Sequence, residues 1–158
     1  MSTKYSMTAR SGSDNQRYGE KGERLVAGVV PLNADKTKVL LIQSSSRSGW
    51  VLPKGGWEKD EAKASTAAMR EAWEEAGIII RIDKELGHIA DARLPSGLSK
   101  KAPKAAYQFF EAVVTEEKTD WPEKYKRERK WHTFTQAKQL LAGRPELTEA
   151  LMRSSIKK

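Results

Sequence analysis

Cysteine is absent from this 158-residue chain, and histidine occurs only twice. That excludes a disulfide framework and a thiolate metal centre, and it argues against zinc. No apolar run approaches the roughly 20 residues of a membrane span, and Met1–Gln16 has no apolar signal core. The expectation is a soluble chain without membrane contact, in the cytoplasm, the nucleus or both. Acidic residues are in deficit: 21 Asp and Glu against 29 Lys and Arg leave a net charge of +8. An excess of this kind points to polyanionic partners, whether nucleic acid, acidic lipid or small polyphosphates. Composition does not choose among them.

What is present reads as one domain behind a polar arm. Residues 1–22 are Ser-, Thr- and Gly-punctuated and predict a flexible N-terminal arm, and residues 23–158 predict a single folded domain. Strands are expected at Arg24–Val30, Lys38–Gln43, Trp50–Leu52, Ile78–Ile82, Glu85–Arg93, Ala105–Thr115 and Arg129–Phe134. Helices are expected at Ala62–Ala76, closed by Gly77, at Gln136–Ala142 behind a Thr135 cap, and at Glu146–Ile156 behind Pro145. Strands interleaved with a few helices predict an α/β domain, a mixed β-sheet between helical layers.

The chemistry concentrates in the first helix. With Met69 at zero and a hundred degrees per residue, Trp73 falls at about 40° and Ala76 at about −20°, an apolar stripe expected to face the core. Glu74, Glu71 and Glu75 fall at about 140°, 200° and 240°, with Arg70 beside them at about 100°. Like charges on one exposed face cost a few tenths of a kcal/mol per i,i+4 pair, so something is expected to offset them. Arg70 neutralises part, and a hard divalent cation such as Mg²⁺, with Mn²⁺ as a substitute, suits the rest. Immediately upstream, Pro53-Lys54-Gly55-Gly56 reads as a tight turn whose glycines let backbone amides approach an anion.

The segment Gly55–Ile78, GGWEKDEAKASTAAMREAWEEAGI, resembles the signature box of the Nudix hydrolases. Gly55, Glu61, Arg70, Glu71, Glu74, Glu75, Gly77 and Ile78 take the family's fixed places. One departure is present: eight residues, Ala62–Met69, separate Glu61 from Arg70 where the family has seven. The resemblance implies a Nudix fold and metal-dependent cleavage of phosphoanhydride bonds. It implies Glu71 and Glu75 as metal ligands, Glu74 as a ligand or base, Arg70 as the group that orients the carboxylates, and Glu61 as support for the metal or the attacking water. Some members take a base from a later loop, for which Glu116 or Glu117 would stand here.

Outside the box, the chain is similar to diphosphoinositol polyphosphate phosphohydrolases of the fungal type, which also hydrolyse diadenosine polyphosphates. The likeness runs from about Arg17 to Leu151, through Ser44–Arg47, the Pro53–Trp57 run, Arg127–Trp131 and Gly143–Pro145. It implies a small polyphosphorylated substrate gripped by Arg24, Ser46, Arg47, Lys54, Gly55, Gly56, Arg127, Arg129 and Arg144. Arginine suits that work because its planar fork binds phosphate bidentately. The loop 98–104 lacks the histidine that animal members carry there, and 79–106 lacks the adenosine-stacking tyrosine of some dinucleoside polyphosphate hydrolases. RNA-cap or nucleotide-cleaning hydrolysis, and a silent polyphosphate-binding module, are the competing readings. The basic loops permit RNA contact, but no RNA-binding module is present, and a monomer is expected.

Overall fold

The computed structural model describes residues 5–10, 12, 14–44, 49–92 and 104–158. In chain order these form β1 (Arg24–Leu32), β2 (Val39–Gln43), β3 (Trp50–Val51), β4 (Lys54–Gly56), α1 (Ala64–Ala76), β5 (Ile78–Ala90), β6 (Ala105–Glu117), β7 (Arg129–His132), α2 (Phe134–Leu140) and α3 (Pro145–Arg153). The sheet is mixed, in the order β3-β2-β1-β6-β5, with β4 paired to β1 and β7 to β2. Among the described strands only β1 and β6 run parallel, in register from Arg24 opposite Ala105 to Leu32 opposite Val113. Seven consecutive residues of β1, Val26–Leu32, are buried. A strand without polar alternation is one covered on both faces, and the covering is helical: α1 lies on β1, β4, β5 and β6, α2 on β2 and β7, and α3 on β5. No helix among the described residues is long and apolar enough to cross a membrane.

Several local expectations are corrected. The two strands read at Ile78–Ile82 and Glu85–Arg93 are one strand, β5, broken by register shifts near Ile79, Asp83 and Leu86. Those shifts turn polar residues into an apparent gap, so the sequence shows two strands where the sheet has one. Arg93 lies outside the described residues. The cap of α2 is Thr133, which forms a capping box with Gln136, and the helix starts at Phe134 inside the segment read as strand. Helix α3 stops at Arg153, and the tail continues extended so that Ile156 reaches the core. Pro53–Gly56 is no tight turn: Lys54–Gly56 is extended and pairs antiparallel with Val26–Gly28.

Helix α1 turns a different face to the sheet from the one its bulky residues suggest. Met69 is 38% exposed. The packed face is alanine: Ala64, Ala67 and Ala68 meet Ala27 and Phe110, while Ala72 and Ala76 join the main core. Short side chains let the helix axis come close to β1 and β4, and the glutamates interleaved with them are carried in too. Trp73 is buried on the outer flank instead, under Tyr5 at 5.2 Å between ring centroids, with its Nε1 donating to Ser6 O at 2.8 Å. The helix ends at Gly77, whose φ of 65° gives the left-handed cap. A side chain there would strike the ring of Trp121.

Candidate active site

Arg70 is the hub. Its Nε and Nη2 donate to the two oxygens of Glu61 at 2.8 and 3.0 Å, and Nη2 also reaches Gly56 O at 2.8 Å. Nη1 donates to Glu71 at 2.9 Å and to Glu74 at 3.3 Å. The guanidinium therefore binds three carboxylates and the β4 backbone together. Glu61 sits before α1, outside the helix, and it also accepts the Glu58 N–H at 3.0 Å. Gly55 faces Glu71 so closely that a Cβ would overlap its carboxylate, which makes glycine a steric requirement there.

Glu71, Glu74 and Glu75 are 7%, 4% and 8% exposed, so the acidic face is a buried face. Glu75 accepts the Lys54 N–H at 3.1 Å and lies 3.5 Å from Arg127 Nη2. Arg127 is held in turn by Glu123 at 2.8 Å and by Gln43 O at 2.9 Å. Burial lifts all three carboxyls. Glu71 stands well above its ordinary value, through burial and the charge of Glu75. Glu74 is raised by burial, and Glu75 is pushed up to about 7, against the pull of Arg127 and the Lys54 N–H. Burial would lower Arg70, but its bond to Glu61 and the charges of Glu71 and Glu74 outweigh that and hold it above its ordinary value.

These shifts fix a pH dependence. In the unfolded chain the glutamates ionise near 4.5, so from there to about 7 the folded state holds protons that the unfolded state has released. Their contribution is fully present below 4.5 and is lost as pH rises through about 7. Asp35, Asp60, Asp83 and Glu111, all lowered, act below this window, while buried His132, lowered from 6.5, opposes the trend within it. The metal-free protein is expected to lose about 1–3 kcal/mol of stability between roughly pH 5.5 and 8 in urea titrations. Saturating Mg²⁺ should restore more of it at the alkaline end. A midpoint that rises with pH would contradict the burial of these carboxylates.

Two connected cavities border the network. One, of about 250 Å³, is acidic on its α1 side and lined by Glu71, Glu74, Glu75 and Glu123. The other, of about 570 Å³, is lined by Arg24, Lys54, Tyr107 and Arg144, the first three shared with the acidic cavity. Burial, then the charges of Arg144 and Arg24, lowers the Lys54 ammonium against the pull of Glu75 and Glu146. For a hard divalent cation the donor chemistry fits: buried carboxylate oxygens and no sulfur. Among the described residues, however, no three acidic or imidazole side chains already converge on one ion position. The carboxylates are gathered around Arg70.

The structure brings Glu61, Arg70, Glu71, Glu74, Glu75, Arg24, Lys54, Gly55, Gly56 and Arg127 to this region, with Arg144 on the rim of the basic cavity, paired to Glu146 at 2.6 Å. It does not bring Arg129. That guanidinium stacks on Trp121 at 4.2 Å and donates to Ala76 O, Gly77 O and Lys118 O, closing the end of α1. Glu116 and Glu117 lie in a separate groove beside Trp131. The acid that the later loop does supply is Glu123. Ser46 and Arg47 lie outside the described residues. Also unforeseen are Gln16, buried and donating to Arg17 O, Leu25 O and Trp57 O while accepting from Arg24, and Arg10, on the acidic cavity's edge. No local sequence pattern marks Glu123, because its pairing with Arg127 lies on a turn and not on a helix.

Comparison with known proteins places this geometry. The NUDIX domain family model matches residues 22–153. Nudix hydrolase 16, mitochondrial, of Arabidopsis thaliana is 42% identical over 150 residues, covering 83% of this chain and 79% of the relative. Among solved structures, a NUDIX hydrolase from Nitrosomonas europaea superposes with a TM-score of 0.69 at 16% identity, covering 83% of this chain and 87% of that one. The C. elegans Ap4A hydrolase superposes with 0.60 at 23% identity, covering 82% and 93%. At those identities the structural likeness is one of fold.

Proposed function

Because this chain belongs to the Nudix hydrolase family, we propose that it hydrolyses phosphoanhydride bonds in diphosphoinositol polyphosphates and diadenosine polyphosphates, with inorganic polyphosphate as a further substrate. One observation carries the reading: three buried glutamates open onto a cavity that continues into a cluster of Arg24, Lys54 and Arg144. A substrate with a labile anhydride at one end and further phosphates at the other matches that polarity. Mg²⁺ bound by Glu71, Glu75 and Glu74 would neutralise phosphate charge and lower the pKa of the attacking water.

The chain's own groups do the rest. Arg24, Lys54 and Arg144 hold the phosphates that do not react, fixing the anhydride over the acidic side. Arg70 orients Glu61, Glu71 and Glu74. Lys54 N–H and Arg127 fix the two oxygens of Glu75. Glu123, on the lining of the acidic cavity, is the carboxylate that would take a proton from water.

The test is turnover with Mg²⁺ of a panel: a diphosphoinositol pentakisphosphate, diadenosine hexaphosphate, capped RNA and 8-oxo-dGTP. Cleavage of the first two is expected, and Arg144→Ala, at the far end of the basic cavity, should raise KM for them more than it lowers kcat. Selective cleavage of capped RNA or of 8-oxo-dGTP would overturn the substrate assignment.

A further inference from the structure

The segment before β1 does more than lead into the domain. A set of contacts ties its described residues to α1 and the preceding turn. Tyr5 covers Trp73, whose Nε1 donates to Ser6 O. The Arg10 backbone N–H donates to Glu74 Oε2 at 3.2 Å. Arg10 Nη1 pairs with Glu58 at 2.7 Å and with Asp60 at 2.8 Å. Arg10 and Gly12 both line the acidic cavity. Glu74 consequently has both oxygens engaged, Oε1 by Arg70 and Oε2 by Arg10. The neighbouring turn is tied in as well, since the Glu58 N–H donates to Glu61, the bidentate partner of Arg70.

We infer that Arg10 is a positioning residue of the acidic site, a tethered cation that holds Glu74 and the Glu58–Glu61 turn and sets how strongly the site takes up divalent cations. This rests on the metal-binding reading of Glu71, Glu74 and Glu75. Arg10 acts in two ways. Its positive charge, on the lining of the acidic cavity and only partly offset by Glu58 and Asp60, opposes a second cation there. Its N–H occupies a carboxylate oxygen that a cation would otherwise use. A divalent ion must therefore displace the Glu74 contact or bind without that oxygen. The contact is a modest barrier, since Arg10 is partly exposed and one N–H···O bond is involved.

Calorimetric titration of the full chain with Mn²⁺ and Mg²⁺ alone, without substrate, tests this. Arg10→Ala is expected to tighten cation binding about three- to tenfold, and Arg10→Lys, which keeps the charge, to stay within about twofold of the parent. Glu75→Gln is the control. If Glu75→Gln binds cations as the parent does, the metal-site reading itself fails. If Glu75→Gln weakens binding while Arg10→Ala leaves it unchanged or weaker, the site stands and the role of Arg10 is overturned. The same follows if Arg10→Lys behaves like Arg10→Ala. Urea unfolding of each variant shows whether the fold is intact, so that a titration is read only on folded protein.

Discussion

Replacing Glu75 by glutamine is expected to lower kcat/KM on the cleaved substrates by at least about a thousandfold, roughly 4 kcal/mol of transition-state stabilisation, without harming the fold. The two halves of that expectation have one cause. Glu75 is buried, and its carboxyl is pushed up to about 7 by that burial. Its ionised form is therefore a cost to the metal-free fold and a benefit only when a cation is bound. Glutamine keeps the shape and can still accept the Lys54 N–H, but it brings no charge to a cation and is a poor ligand for Mg²⁺. The variant should match or exceed the parent in urea midpoint near pH 8 while losing Mg²⁺-dependent turnover and most of its cation affinity. Activity within tenfold of the parent, on protein shown to be folded, would remove Glu75 from the metal site.

The acidic helix was legible because everything that defines it is local. Arg70, Glu71, Glu74 and Glu75 lie within six residues, and helical geometry alone places them together. Their burial was not legible. The helical wheel assigns the core to the largest apolar residues, Met69 and Trp73, whereas close packing on β1 and β4 selects the smallest, Ala67, Ala68 and Ala72. An alanine-rich helix beside Gly55 approaches the sheet until its glutamates are enclosed, and their raised pKa values follow first from that burial, with the charge of Glu75 adding to the rise in Glu71.

The basic loop Lys124–Lys130 shows the converse error. Five cations close in sequence predict a convergent phosphate grip. In the fold Arg127 turns inward to Glu75 and Glu123, Arg129 turns to the end of α1, and Lys124 donates to Thr119 O. The backbone there is not helical, so sequence neighbours point different ways. Arg10 and Glu123, whose backbone N–H groups donate to Glu74, are 64 and 49 residues from it along the chain, and no local periodicity reports a contact of that span. The long sheet was easier: β1 is apolar on both faces from Leu25 to Leu32, and β6 is rich in aromatic and β-branched residues despite Gln108 and Glu111.

Arg70→Met is expected to be the most destabilising single change in the site, by about 3–5 kcal/mol near pH 8, the usual cost of removing one partner from a buried ionic network. Glu61, Glu71 and Glu74 would remain buried with their shared cation gone, and Gly56 O would lose its donor. The cost is conditional on charge. Between the ordinary glutamate value and the raised folded values of Glu71 and Glu74 those two carboxyls take up protons, so the penalty should shrink to about half at pH 5.5. Saturating Mg²⁺ should recover part of it at pH 8, since a divalent ion can replace the guanidinium as the charge the carboxylates surround. Arg70→Lys should fall between, because an ammonium restores the charge but cannot reach Glu61, Glu71, Glu74 and the β4 backbone together as a planar fork does. Urea midpoints of the three proteins at the two pH values, with and without Mg²⁺, measure all of this. A pH-independent loss of under 1 kcal/mol in Arg70→Met would mean that the carboxylates are solvated and that Arg70 is not their hub.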